Sequence, residues 1–178
     1  MIRTSCWLFV MVLALPASVF AASPYVDQTS RGIKALSEQE VADTLAGKGM
    51  GLAKAAELNG YPGPAHVLEL AAQLELSPAQ SAATEAIFER MQARAIASGK
   101  RLIEEERKLD ALFASRAISP SLLHQALDSI ASLQREVREI HLQAHLEQVE
   151  VLNAAQAMKY WHLRGYADAK TDRRQHVH

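Results

Sequence analysis

The sequence predicts an all-α fold, a long antiparallel helical hairpin with short hooked helices at both ends that pairs as a dimer. Three observations carry this. Glycine and proline collect before residue 65, alanine, leucine, glutamate and glutamine dominate the rest, and aromatics are only 6% of the chain, which is helix composition with an irregular front end. Two phrases, Leu76-Ser77-Pro78-Ala79-Gln80 and Leu152-Asn153-Ala154-Ala155-Gln156, share a leucine, a capping residue and a glutamine three places beyond the cap. Between them, apolar residues recur at helical spacing on both sides of a single reversal.

Residues 1–21 read as a cleaved secretory signal peptide, with Arg3 as its charged start, an apolar run from Trp7 to Leu15 and a small-residue exit at Val19-Phe20-Ala21. That run is too short for a permanent anchor, and no later stretch approaches the ~20 apolar residues of a membrane helix. Export to the periplasm is the expectation. Cys6, the only cysteine, leaves with the signal, so the mature chain forms no disulfide and any metal must be held by nitrogen, oxygen or thioether. Losing Arg3 leaves 18 basic against 20 acidic residues, which provides no basic field for nucleic acid or anionic lipid.

Residues 22–63 read as a flexible N-terminal segment with one short helix, which Ser37 and Glu40 start as a capping box and Gly47 ends. The run Gly47-Lys48-Gly49-Met50-Gly51 looks at first like a phosphate-cradling loop, but no strand precedes it and neither glycine fingerprint is matched. It reads as a connector. The hairpin domain spans residues 64–165. Asn59-Gly60-Tyr61-Pro62-Gly63-Pro64 is a turn into a short helix from about Ala65 to Leu74. At Ser77 a second helix begins: the hydroxyl caps an orphan N–H, Gln80 reaches back to the cap residue, and Pro78 sits where its missing N–H costs nothing. This helix runs to about Ala114 with the stripe Ile87, Met91, Ala95, Leu102, Leu109, Leu112 and Phe113. Ser115 to Ile118 reverse the chain, and Ser119-Pro120 open a helix striped by Leu123, Ala126, Ile130, Leu133, Val137, Ile140, Ala144 and Val151. Asn153 and Gln156 start a last short helix that Gly165 closes, and residues 166–178 read as a disordered polar tail. Leu146, Val149, Leu152 and Trp161 lie off the main seam, so the short helices or a second copy of the chain are expected to cover them.

Candidate chemistry centres on His141-Leu142-Gln143-Ala144-His145, which presents two imidazoles one helical turn apart. With the reversal near residues 116 and 117, position 145 falls level with about 88 and position 141 with about 92, while folding back at Leu76 brings His66 level with about 86. Glu85, Glu89 and Met91 stand at the same height, so His66, His141, His145 and Glu89 form a candidate site for Zn, Cu or Ni. The same pair of histidines also fits a solvent-facing polar strip beside Gln134, Arg138 and Gln148. A zinc-protease reading fails because Leu142 occupies the place of the general base. His124 and His162 stand alone, and His176 and His178 belong to the tail. No nucleophile with a base at a readable spacing appears, and no enzymatic activity is expected.

The two cap phrases give the chain a resemblance, over about Pro64 to Gly165, to the Spy/CpxP family and its heavy-metal branch of CnrX- and ZraP-like periplasmic proteins, whose mark is a leucine-threonine-x-x-glutamine phrase in these two places. Ser77 and Asn153 stand where the family has threonine, and Leu70 stands where a second histidine would follow His66 by one turn. The resemblance implies a hooked hairpin that dimerises, without an organic cofactor. It implies a metal sensor or buffer in heavy-metal or envelope stress response, acting on a membrane-bound signalling partner, with ligands from the regions of His66, His141 and His145. The alternative it offers is an ATP-independent chaperone that binds unfolded clients on a concave helical surface.

Overall fold

The computed structural model describes residues 23–167, which are helical with no strand among them. The signal-peptide reading of residues 1–21 lies outside them, as do His176 and His178. No described helix is long and apolar enough to cross a membrane. The chain divides into two compact units. Of the first, residues 23–30 form a single 3-10 turn at Val26–Gln28, closed by Thr29, whose N–H and hydroxyl both donate to the Val26 carbonyl. The second begins at Arg31 and holds α1 (Glu38–Leu45), α2 (Lys54–Glu57), α3 (Pro64–Glu69), α4 (Pro78–Ala114), α5 (Pro120–Val149) and α6 (Ala154–Leu163).

Four of these helices start where a side-chain cap dictates. Ser37, Ser77 and Asn153 form complete capping boxes with Glu40, Gln80 and Gln156, and the Ser119 hydroxyl accepts from the Leu122 N–H. At the two glutamines the local cap becomes a tertiary joint. Gln80 Nε2 donates to Gln156 Oε1 at 2.7 Å and to the Val151 carbonyl at 2.9 Å, while Gln156 Nε2 donates to Gln80 Oε1 at 3.1 Å and to the Leu74 carbonyl at 3.2 Å. The leucines before the caps complete the joint: Leu152 is buried with Val67, Leu74 and Tyr160, and Leu76 packs against that cluster. Each phrase therefore supplies an apolar staple, a cap and half of an amide pair. Replacing Gln80 or Gln156 by alanine is expected to cost about 1–2 kcal/mol, with a coupling of about 1 kcal/mol in the double mutant. Urea denaturation of the four-member cycle measures this, and strict additivity would show that the two amides do not act as a pair.

The long helices α4 and α5 pack against each other in opposite directions, as the order of their cross-links shows. Thr84 meets Gln148, Arg90 pairs with Glu147, and Ser98 meets Glu136. On α5 the buried residues Ile130, Leu133, Val137, Ile140 and Ala144 follow the predicted stripe. On α4 the stripe is shifted: Ile87 and Ala95 are buried, but Ile103 takes the place expected of Leu102, and Phe113 is exposed. Three small residues are buried as well: Thr84 and Ser98 bond Gln148 and Glu136 on α5, and Gly99 lies against the Thr44 backbone of α1. The α3 helix ends at Glu69 rather than near Leu74, because Leu74 turns into the core and Glu75 takes a left-handed conformation at φ 53° to turn the chain into α4.

The flexible segment expected over residues 22–63 is replaced, from Arg31 onward, by a chain that lies along α4 and α5 and contributes two helices rather than one. Lys34 is held by Asp110 through its N–H and its ammonium. Further along, α1 crosses Gly99, where an added Cβ would stand 2.4 Å from the Thr44 carbonyl oxygen. Gly47, at φ +67°, ends α1 against α4, where a Cβ would meet Ile96 and the Gln92 carbonyl. Glycine here serves close approach between backbones and not slack.

Candidate functional site

The same segment closes one side of a cavity of about 670 Å³ whose walls include His66 from α3, Phe88, Met91 and Gln92 from α4, and His141 and His145 from α5. The presumed connector Gly47–Gly51 lines it too, with Gly49 so near His141 that a Cβ would lie 3.5 Å from the ring Nδ1. His141 and His145 are buried, 4% and 8% exposed, which excludes the solvent-facing strip that their spacing also allowed. Glu89 is exposed and not part of the lining, so the carboxylate expected from it comes from elsewhere.

That carboxylate is Glu57, at the end of α2 and buried. Its Oε1 accepts from the Tyr160 hydroxyl at 2.6 Å and from the Tyr166 hydroxyl at 3.0 Å, and its Oε2 accepts from the Gly63 N–H at 3.2 Å. His66 Nδ1 stands 3.7 Å from one carboxylate oxygen and His145 Nδ1 3.8 Å from the other, with Arg164 Nε at 3.6 Å. Burial alone would raise the Glu57 pKa; the His66 imidazole and the two tyrosine hydroxyls outweigh it and hold the group at about 2. Burial and the hydrogen bond to Glu57 push the Tyr160 hydroxyl well above its usual range, so it remains a donor.

Each histidine has a distinct environment. His145 Nδ1 lies 2.7 Å from the Tyr61 carbonyl, a contact in which the ring N–H donates and which orients the ring. Gly63 makes room for that ring, since a Cβ there would fall 2.9 Å from its Cε1. His141 Nε2 is buried with no hydrogen-bond partner, and burial followed by the nearby His145 lowers the ring's pKa and favours its neutral form. His66 is turned toward Glu57 on one side and lies 3.4 Å from Arg164 on the other. Glu57 thus stands between His66 and His145. Among the described residues no three His, Cys, Asp or Glu side chains form a group that could hold a metal ion.

Tyr166, expected at the start of a tail, is instead tied down, bonding Glu57 with its ring 4.9 Å from that of Trp161, and the rest of the expected tail, from residue 168, lies outside the described residues. Glu57, Tyr160, Arg164 and Tyr166 were not among the sequence-derived candidates. The available signal was Glu57 itself, a lone carboxylate in Ala55-Ala56-Glu57-Leu58 directly before a turn rich in glycine and proline. No protein family, curated protein or solved structure matches the chain.

Proposed function

We propose that this chain is a periplasmic metal-binding protein, a sensor or buffer for Zn, Cu or Ni in heavy-metal or envelope stress, working as a homodimer with a hairpin of the Spy/CpxP type. One observation carries the reading: His66, His141 and His145, drawn from distant stretches, line a single cavity, where the Tyr61 carbonyl holds the His145 ring through Nδ1 and the buried His141 Nε2 has no hydrogen-bond partner. A backbone carbonyl on Nδ1 is how metal-binding histidines are commonly held with Nε2 ready. Met91 and Met50 also line the cavity and offer the thioether sulfur that copper favours. His141 and His145 are the ligands this arrangement supports best, with Met91 beside them, while His66 is occupied by Glu57 and Arg164. Exposed Leu127 and Leu146 on α5 are the surface that supports pairing with a second copy.

The test is calorimetric titration of the tag-free protein with Zn, Cu and Ni. Replacing His141 and His145 together by alanine should weaken binding at least about 100-fold, since outright loss of two nitrogen ligands exceeds the 10–100-fold typical of second-shell changes. A double mutant that folds and binds metal as tightly as the parent would overturn the assignment.

A further inference from the structure

The cavity carries two charges that nothing among the described residues answers. Of the five Lys, Arg and Glu side chains in its lining, three are engaged: Lys48 pairs with Asp43 at 2.7 Å, and Arg164 faces Glu57 at 3.6 Å. Lys54 and Glu69 remain, opposite in sign, both exposed and both without an ion pair or side-chain hydrogen bond among the described residues. Lys54 precedes Glu57 by about one turn on α2, and Glu69 follows His66 by about one turn on α3. Glu57 and His66 stand 3.7 Å apart, so each free charge lies one turn out from a contact that joins the two helices, yet no ion pair links them. The rest of the lining adds two kinds of surface. Met50, Leu58, Phe88 and Met91 are all partly exposed and give it apolar wall. Gln92, half-buried, brings a carboxamide with no side-chain hydrogen bond among the described residues, and a carboxamide offers the donor and acceptor that a peptide group needs. The volume, about 670 Å³, lies within the about 300–1,000 Å³ of small-molecule sites.

Beyond the metal reading and independent of it, we propose that the cavity binds a short apolar peptide of two or three residues with both ends free. Lys54 receives the terminal carboxylate and Glu69 the terminal ammonium, Gln92 meets a peptide group, and Leu58, Phe88 and Met91 take the side chains. A ligand of one charge would leave the other lining charge unanswered. A zwitterion meets both, and its zero net charge suits a lining in which the remaining cation and anion balance. The site needs no metal ion and asks nothing of His141 or His145.

Equilibrium dialysis of the tag-free protein in EDTA at neutral pH decides this with four probes: leucyl-leucine, its N-acetyl form, its C-terminal amide, and seryl-serine. The EDTA keeps the outcome separate from that of the metal titration. Leucyl-leucine is expected to bind about fivefold tighter than either capped form, the most that one exposed ion pair supplies. It should bind about tenfold or more tighter than seryl-serine, which has no apolar side chains to bury. Glu69→Gln should erase the preference over the acetyl form and Lys54→Met that over the amide, with helical circular dichroism unchanged because both residues are exposed. Capped forms that bind as tightly as the free dipeptide overturn the pairing of its ends, and seryl-serine binding equally well overturns the apolar recognition. Preferences that survive both substitutions overturn the roles of Lys54 and Glu69, and no binding of leucyl-leucine at about 10 mM overturns the proposal outright.

Discussion

Glu57→Ala is expected to remove about 3–5 kcal/mol of stability, the usual cost of deleting one partner of a buried charged network. The size follows from what is stranded. The Tyr160 hydroxyl, on a residue 1% exposed, loses its acceptor, and so does the Gly63 N–H. Arg164 Nε, already buried without a hydrogen bond, loses its counter-charge. Because Glu57 ties α2 to α3, α5, α6 and Tyr166 just beyond α6, its loss should also release the segment that closes the histidine cavity. Urea unfolding monitored by circular dichroism measures the effect, and a loss below about 1 kcal/mol would show that the network is ornamental.

Acid should reproduce the effect without mutation. The Glu57 pKa is depressed from 4.5 to about 2, so the folded state favours the ionised form. Its contribution is therefore fully present above the unfolded value and fades as pH falls through the folded one. The linkage is on the order of 3 kcal/mol, with His66, His145 and Arg164 as the charged or chargeable groups facing the carboxylate and Tyr160 and Tyr166 as its hydroxyl donors. Glu57→Gln keeps the shape but cannot ionise. The stability gap between parent and Glu57→Gln should be widest above about pH 5 and should close toward about pH 2. A gap independent of pH would exclude the carboxylate charge as its source.

Gly99→Ala is expected to destabilise the protein by about 2 kcal/mol although it lies in the middle of a helix, where replacing glycine normally gains about 1 kcal/mol. Two effects oppose each other here, and geometry decides between them. The new Cβ would stand 2.4 Å from the Thr44 carbonyl oxygen and 3.2 Å from Thr44 Cγ2, and the carbonyl belongs to backbone that cannot swing aside. That oxygen also accepts from the Gly47 N–H, so moving it disturbs the turn that leads into the cavity. Overpacking of this kind costs about 1–3 kcal/mol before any loss of the α1 contact itself, which outweighs the propensity gain. Thermal unfolding and hydrogen exchange across α1 measure it together. A more stable Gly99→Ala with unchanged protection of α1 would mean that α1 does not dock on α4 in solution.

These two sites mark the limit of what was legible from the chain. The starts of α1, α4, α5 and α6 were readable because a cap acts over three residues: Ser37 with Glu40, Ser77 with Gln80, Ser119 with Leu122, and Asn153 with Gln156 all bond locally. The α5 stripe was readable because one face repeats without interruption; on α4 the small residues Thr84, Ser98 and Gly99 share the buried face and carry no hydrophobic signal. The histidines were found by spacing, and their meeting around one cavity follows from the reversal near residue 116.

Glu57 was invisible for a physical reason. Its bond to Tyr160 spans 103 residues and that to Tyr166 spans 109, so no periodicity or local motif encodes either. Gly49 reads as slack and Gly99 carries no signal because a glycine looks alike in sequence whether it frees the chain or lets neighbouring groups approach, whereas Gly47 is legible as the end of α1. The chain alone determined where helices begin and which faces are apolar, since those depend on neighbours a few residues away. Only the tertiary structure decided that the front segment packs down, that Glu57 rather than Glu89 meets the histidines, and that His141 and His145 face inward, since each depends on what distant backbone leaves room for.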